Sequence, residues 1–522
     1  MADEKVDTLK QGDVGIESYE ERSADSLDEA DMQRLGKAQV FKRNFRVLFI
    51  LAFSVLTISG WVYVPSTLTY GLYNGGTGGV FAMFMFEFAG LFLVILCLAE
   101  MSSIAPTAGG QYHWTSEFAP RSLQKILSYY SGWLASLAWL SGVTGGMYPA
   151  GFTLQGLILL ANPDFNPRPY QCYLFVVMIA TTGLLVNTLL ARYLPKLESF
   201  IFVVFALAFV AVIAVLWVLP THLTAAEVFQ NFQKGDGWSS LGLSMLVGQS
   251  NLLFLIIGSD ATAHMAEETK HASTIVPKIM VSSYLINGFS TMVVLITYCF
   301  CLVDYNAAEN SPVGVLGLPY LQVFARVTGS IGGGQGLAAV LVLLQIVGTI
   351  NFMTTCSRQI FAFARDNGLP FSRWIARVDR SGTYPVNAVF VVWTFIVLLT
   401  LITLGSTIAF EAITSLTMLA LFSTYTISCT CLFWRRCFGG GVRRGPWTLG
   451  RFGIPINFLA LCYCFFVLTF LPWPVTVPVV PANFNWSSVI YVGILVFSTG
   501  YYVLFARKQY AGPVVYTKPY LR

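Results

Sequence analysis

Two short stretches carry residue types that could hold a small zwitterion. Thr57-Ile58-Ser59-Gly60-Trp61 sits in the middle of the apolar run from Phe45 to Tyr73, with Pro65 shortly after it. Gly258-Ser259-Asp260 interrupts the apolar run from Leu243 to Met265. A chain that stops being helical inside a bilayer leaves N–H and C=O groups that lipid cannot satisfy, so such breaks persist where they line a cavity or bind something. At the first, the amides of Ile58, Ser59 and Gly60 would be unpaired, and a half-helix N-terminus attracts anionic groups such as a carboxylate. Gly60 suits a backbone that approaches a ligand closely; the alternative is a Gly-Ser kink at a helix crossing. At the second, the carbonyls of Phe254, Leu255, Ile256 and Ile257 would face the same space and could hold an ammonium, with Gly258 permitting the turn. Asp260 is open to three roles: a cap on the half-helix that follows, a substrate contact, or a proton carrier. Paired breaks in the two halves of a polytopic chain point to the substrate site of a secondary transporter. The candidate contacts are therefore Thr57, Ile58, Ser59, Gly60, Trp61, Phe254, Leu255, Ile257, Gly258 and Asp260.

Other residues could join this chemistry. Glu87 and Glu411 fall inside apolar runs, and an ionisable group at membrane depth is a functional candidate by default. Glu87 could accept hydrogen bonds from the amides of a broken helix or carry a proton, and Glu411 falls near an outer vestibule. Trp61, Trp139, Tyr148 and Phe254 could cage a cation, which gains roughly 0.5–2 kcal/mol over an aromatic face, or serve as packing; Trp139 and Tyr148 are candidate gate residues. Phe200 to Val218 holds no Lys, and no sodium-ligand cluster is visible. The pairs Cys299/Cys301, Cys429/Cys431 and Cys462/Cys464 point to nearly opposite helix faces and cannot chelate one metal. No nucleophile–base cluster, metal-ligand spacing or phosphate-binding loop argues for an enzyme or a cofactor.

These residues need a membrane frame, and the composition supplies one. Hydrophobic residues make up 55% of the chain and charged residues 11%, against about 25% charged in soluble domains. Eleven of the 26 acidic residues lie in Met1 to Asp31, so residues 1–43 read as a disordered acidic tail. No signal peptide precedes it, and no basic stripe points to nucleic acid. Twelve segments are long and apolar enough to span: roughly 45–73, 79–103, 128–161, 170–190, 197–219, 243–265, 279–303, 335–364, 384–404, 407–434, 453–472 and 487–507. With the N-terminus inside, 28 of the 31 basic residues fall on the inner side, and Arg168, Lys234 and Arg326 fall outside. That bias puts both termini in the cytosol. Trp114, Trp133, Trp393, Trp473 and Trp486 suit interfacial anchoring, and Asn485-Trp486-Ser487 is a glycosylation sequon on the outer side.

Three stretches carry a family resemblance that covers nearly all of the chain beyond the tail. The run Ala99-Glu100-Met101-Ser102-Ser103-Ile104-Ala105-Pro106-Thr107-Ala108-Gly109-Gly110-Gln111-Tyr112-His113-Trp114 resembles the signature after the second span of the amino acid–polyamine–organocation (APC) superfamily. Its form is similar to the fungal amino acid/choline transporter branch, which includes GABA and choline permeases. Asp260-Ala261-Thr262-Ala263-His264-Met265-Ala266-Glu267-Glu268 resembles that branch's sixth-span motif, and Arg365-Asp366-Asn367-Gly368-Leu369-Pro370 its loop after the eighth span. The resemblance implies an all-α polytopic fold of twelve transmembrane helices. Ten of them, over residues 44–434, would form a LeuT-type 5+5 inverted repeat with the first and sixth broken. Two more would follow over 435–507, then a short tail over 508–522.

On this reading the chain is a permease for an amino acid or related amine, proton-driven, by alternating access. The alternatives are a choline, polyamine or dedicated-metabolite transporter, and a nutrient sensor that scarcely transports. The expected partners are a small-molecule substrate, membrane lipid, and ubiquitin ligase adaptors at Lys5 and Lys10 of the tail. The expected location is the plasma membrane, with the vacuolar membrane as the alternative. The loop from Glu100 to Trp114 reads as a cytosolic hinge or gate flanked by His113 and His264, with Glu267, Glu268 and Lys270 in salt links to inner arginines.

Overall fold

The computed structural model describes residues 28–29, 31–36, 41, 43, 45–379, 384–405, 409–481 and 483–513. Among them no strand forms; the one extended pairing is a bridge between Phe45 and Thr269. The first apolar run becomes α1 (Val47–Ile58) and α2 (Gly60–Thr67), followed by α3 (Thr69–Ile104) and α4 (Gln111–Phe118). The 38-residue α5 (Gln124–Ala161) is about 57 Å long at 1.5 Å per residue, so it crosses a bilayer only with a strong tilt. Then come α6 (Pro169–Leu189), α7 (Leu194–Val218), α8 (Leu241–Val247), α9 (Ser250–Phe254), α10 (Ala261–His264), α11 (Ala272–Phe300), α12 (Pro319–Val327) and α13 (Ile331–Arg365). The chain continues through α14 (Val386–Thr400), α15 (Ala409–Cys437), α16 (Gly453–Phe470) and α17 (Ser487–Tyr501).

Among the described residues ten helices are long and apolar enough to cross a membrane. The third predicted segment, α5, stands outside that set because Gly, Ser and Thr recur along it. The sixth stands outside because it is broken into α8, α9 and α10. The helices of the first half pack on those of the second: α3 on α11, α5 on α13 and on α15, α6 on α14. Small residues allow the close approaches. A side chain at Gly288 would strike the Phe88 ring at 2.0 Å, and one at Gly132 would strike Phe363 at 2.2 Å. The helices on the rim turn apolar side chains outward, as lipid contact requires: Phe200, Val203, Leu207 and Val210 on α7, and Val492, Val496 and Phe497 on α17 are exposed.

Three expectations change. The end of the acidic tail is ordered where it is described. Met32, Leu35 and Phe41 are buried, Phe41 packs on Phe361 at 5.1 Å, and Asp28 accepts the amides of His271 (2.8 Å) and Ala272 (3.3 Å) at the start of α11. Averaging over an acidic composition hid these apolar residues, which have a surface to bury against. Lys5 and Lys10, the expected adaptor sites, lie outside the described residues, as do residues 514–522. The stretch from Glu100 to Trp114, expected as a loop throughout, is one only between Ile104, where α3 ends, and Gln111, where α4 begins, and all of residues 101–116 are buried. Finally, Trp114 and Trp133 are core residues, with the Trp114 indole N–H donating to Ala105 O at 2.9 Å; Trp473 and Trp486 remain exposed, at 41% and 48%.

Gly90 on α3 offers a test of this packing. A Cβ there would lie 2.2 Å from the Tyr463 ring of α16, and that ring is tied down through its hydroxyl to Glu87. Gly90→Val should lower the thermal stability of the detergent-purified protein, by about 1–3 kcal/mol for an overpacked site. Gly242→Ala, where a Cβ would meet nothing within 4 Å, should leave the melting temperature unchanged or raise it slightly.

Candidate substrate site

The first break is a single residue. Ser59 takes the left-handed conformation (φ 44°, ψ 34°) between α1 and α2, a costly geometry for a residue with a side chain. Because only one residue flips, the expected row of free amides is shorter than predicted. The Ser59 amide still donates to Val55 O at 3.0 Å, and the Gly60 amide makes a long 3.4 Å bond to Asn287 Oδ1 on α11. Asn287 also donates from Nδ2 to Val55 O at 3.3 Å, so one amide side chain stitches both edges of the break. Thr57 turns its hydroxyl back to Phe53 O at 2.6 Å.

The second break is longer than Gly258-Ser259-Asp260. The chain is non-helical from Leu255 to Asp260, with Gly258 at φ 109°, and a further interruption separates α8 from α9 at Gly248 and Gln249. The two breaks touch. A Cβ on Gly60 would lie 1.9 Å from the Leu255 carbonyl oxygen and 2.5 Å from Thr291 Oγ1. Ser54 and Thr262 add a 2.6 Å hydroxyl pair between α1 and α10.

Around this junction glycines leave space that rings enclose. The missing side chain of Gly258 faces Phe352 at 3.4 Å and Ile58 at 3.8 Å, and that of Gly145 faces Phe254 at 3.7 Å. Tyr63 meets Phe254 edge-on at 5.9 Å and donates to Gly146 O at 3.3 Å. Trp139 lies beside Phe352 at 5.3 Å and His264 at 5.1 Å. The arrangement presents a half-helix start, unwound carbonyls and an aromatic wall within one small region, which suits a molecule with a charged head and a compact body.

Asp260 does not cap α10. It stands at the cap position, but no side-chain cap bond forms. Its carboxylate instead accepts from Gln111 Nε2 on α4 and from the Tyr425 hydroxyl on α15 at 2.9 Å. A four-residue helix has little dipole to offer, whereas two donors from other elements satisfy both oxygens. No ion pair reaches Asp260 among the described residues, so any charge there would lack a counter-ion. His264 donates from Nδ1 to Ala108 O at 2.8 Å. Gln111, Tyr425 and Asn287 were missed in the sequence; the only signal for Asn287 was an amide amid an apolar run.

The two faces beyond the site differ. On the face where the tail packs, Glu267 accepts a two-pronged bond from Arg365 (2.7 and 2.8 Å) and the Ala108 amide at 3.2 Å. Glu268 pairs with Arg358 at 2.9 Å; burial pushes its carboxyl above the ordinary range, against the pull of Arg358. Across this layer the Phe45 amide donates to Glu268 O at 3.1 Å and the Lys270 amide to Phe45 O at 3.2 Å, with Arg43 reaching Thr269 O at 2.8 Å. On the far face a cavity of about 410 Å³ opens beside Ser66 and Thr67 at the end of α2.

Several candidates lie apart from the junction. Trp61 is buried against Phe205 and Phe209 of α7 at 5.2 and 5.5 Å. Tyr148 lines the far-face cavity beside Phe152, so it does not share a gate with Trp139. Glu87 bonds the Tyr463 hydroxyl rather than the amides of a break. The side chain of Glu411 lies outside the described residues. The Asn485 amide nitrogen donates to Leu471 O at 3.0 Å and Trp473 O at 3.2 Å, and its oxygen accepts from Ser487 Oγ at 2.6 Å, so the sequon is used up within the fold. A buried carboxylate not singled out in the sequence is Glu198, which accepts from Asn351 at 3.0 Å.

The amino acid permease family profile matches residues 44–497. An uncharacterised amino-acid permease of Schizosaccharomyces pombe is 31% identical over 506 residues, 95% of this chain and 92% of that one. Amino-acid permease 2 of Neurospora crassa is 28% identical over 98% of this chain and 93% of its own. A putative amino acid/polyamine transporter of Macrophomina phaseolina is 28% identical over 84% of this chain and 97% of its own.

Gly60→Ala tests the junction directly. The clashing atom is a backbone carbonyl oxygen at 1.9 Å, which cannot swing aside as a side chain can. The variant should reach the membrane and lose solute uptake, measured in intact cells against surface-biotinylated protein. The same substitution at Gly336, where a Cβ meets nothing within 4 Å, should leave uptake intact.

Proposed function

The chain belongs to the amino acid permease family, and from that premise we propose that it moves an amino acid or a related small amine across the membrane by alternating access, driven by protons. The observation that carries the reading is the contact between the breaks, where the Leu255 carbonyl abuts Gly60. The carboxylate of the substrate meets the first turn of α2, where the partial positive charge of the half-helix gathers. Its ammonium meets the carbonyls of the unwound stretch from Leu255 to Ile257, and Phe254, Phe352 and Trp139 enclose its body. The pairing of α3 with α11, α5 with α13 and α6 with α14 supports a repeat of five helices followed by five, with α16 and α17 outside it and the twelve-segment count retained. The charge bias supports a cytosolic tail face and both termini inside, in the plasma membrane. Cytosolic ubiquitin ligase adaptors are the proposed partners of the tail.

Asp260 is the proposed proton carrier. It sits in the broken sixth segment, holds neutral donors from α4 and α15 and lacks a counter-ion among the described residues, so taking up a proton there costs no ion pair. Uptake of a labelled panel (amino acids, GABA, choline, putrescine) in permease-deficient yeast at two external pH values tests the assignment. Saturable uptake of a carboxylate-bearing solute that rises at acid pH is expected, and Gly60→Leu should abolish it. Asp260→Asn should keep exchange of that solute but flatten the pH dependence. Uptake confined to choline or putrescine would move recognition to the aromatic wall.

A further inference from the structure

The far-face cavity lies apart from the junction of the two breaks. It is lined by the end of α2, by Tyr148, Phe152 and Gln155 of α5, and by the start of α6, and its lining carries one charged side chain, Arg168. It begins at Ser66, about 10 Å along the helix from the Ser59 break at 1.5 Å per residue. The Tyr63–Phe254 ring contact and the bond from Tyr63 to Gly146 O lie between them.

The mount of Arg168 is rigid. Pro167 and Pro169 flank it, which fixes φ on either side. Its amide donates to Gln171 Oε1 at 2.8 Å, and its carbonyl accepts from the buried Gln155 Nε2 at 2.9 Å. The guanidinium, by contrast, makes no ion pair among the described residues. The other two basic residues of the predicted outer loops are spent on the fold. Lys234 Nζ donates to Trp238 O at 2.8 Å, and Arg326 Nη1 donates to Val303 O at 2.7 Å and Asp304 O at 3.0 Å. An unpaired guanidinium at a cavity rim favours a carboxylate, which it can grip with two parallel bonds, and disfavours a cation.

We propose that this cavity is a recruiting subsite in which Arg168 holds the carboxylate of the incoming substrate before it passes the Tyr63–Phe254 barrier. The inference rests on the transport reading above and narrows its substrate class to carboxylate-bearing solutes. Arg168 acts on capture and takes no part in the step between the breaks. A rim charge of this kind governs encounter and its salt dependence more than turnover.

Two measurements on the full-length chain decide it. In yeast, Arg168→Gln should raise the half-saturating concentration of the transported amino acid by roughly five-fold or more, with the maximal rate unchanged and Arg168→Lys restoring most of the loss. Raising ionic strength at constant osmolarity should weaken capture in the wild type and not in Arg168→Gln. Equal half-saturation and equal salt response in the two proteins would overturn the proposal. The second measurement does not need transport: melting of purified protein with L-glutamate, 4-aminobutyrate or choline chloride. The two carboxylates should stabilise the wild type and not Arg168→Gln, and choline should stabilise neither. If the wild type carries no amino acid, the transport reading fails, and melting alone decides the subsite. Stabilisation by carboxylates that survives Arg168→Gln, or none in the wild type, removes it.

Discussion

Everything at the centre of this molecule depends on two main chains being allowed to touch. A carbonyl oxygen released from helical bonding at Leu255 comes to rest where the side chain of residue 60 would be, and only glycine leaves that place open. In hydrocarbon an unwound stretch is intolerable unless protein satisfies it. Asn287 therefore reaches both sides of the Ser59 kink, the Ser54–Thr262 pair ties the two interrupted segments together, and Gly348 lets α13 pass within van der Waals reach of Leu56 O. The long helices are the frame that holds this exposed backbone in place.

Three carboxyl groups buried among the helices, one at the junction and two apart from it, follow one pattern. Asp260 accepts from Gln111 and Tyr425, Glu87 from Tyr463, and Glu198 from Asn351, and every one of these donors is neutral. The charged pairs are elsewhere, at the tail face, where Arg365 meets Glu267 and Arg358 meets Glu268. The separation makes physical sense. A carboxyl that must change protonation cannot be locked to a guanidinium, whereas a closure that must be firm yet reversible gains from ion pairs that water can receive when they part.

Much of this was legible in the chain and some was not. The apolar runs gave the helices, and Gly60 and Gly258 marked both breaks because glycine's conformational freedom is written in the residue type. The extent of the second break was hidden: Leu255, Ile256 and Ile257 look like any helical apolar run, and only contact with α2 and α11 explains why they unwind. The cap expected of Asp260 failed for the same reason, since its true partners are 149 and 165 residues away in sequence. The sequon at Asn485 and the acidic tail show the opposite error. There a local pattern was read without knowing that neighbouring carbonyls, or a buried floor for Met32 and Leu35, were waiting for it.

The unequal faces also say what must supply the energy of switching in the proposed cycle. The far side is held by a hydroxyl-to-carbonyl bond at Tyr63, a ring contact, and long bonds from Gln345 to Val62 O and Ser66 Oγ. Among the described residues the tail side is held by three buried ion pairs, Arg365–Glu267, Arg358–Glu268 and Arg436–Glu100, and a strap of backbone bonds through Phe45. Breaking one partner of a buried pair is costly, by about 3–5 kcal/mol, because the other is left uncompensated; parting both into water recovers much of that cost. A conformation closed on the tail side is then the resting one, and a solute shifts it only through contacts it makes better in the other state. The junction is placed to provide such contacts. Any head group that enters between Gly60 and Leu255 must push the two breaks apart, and α10 is joined directly to the Glu267–Glu268 turn that carries two of the tail-face pairs. Displacement at the site and release of the latch are therefore movements of one short piece of chain.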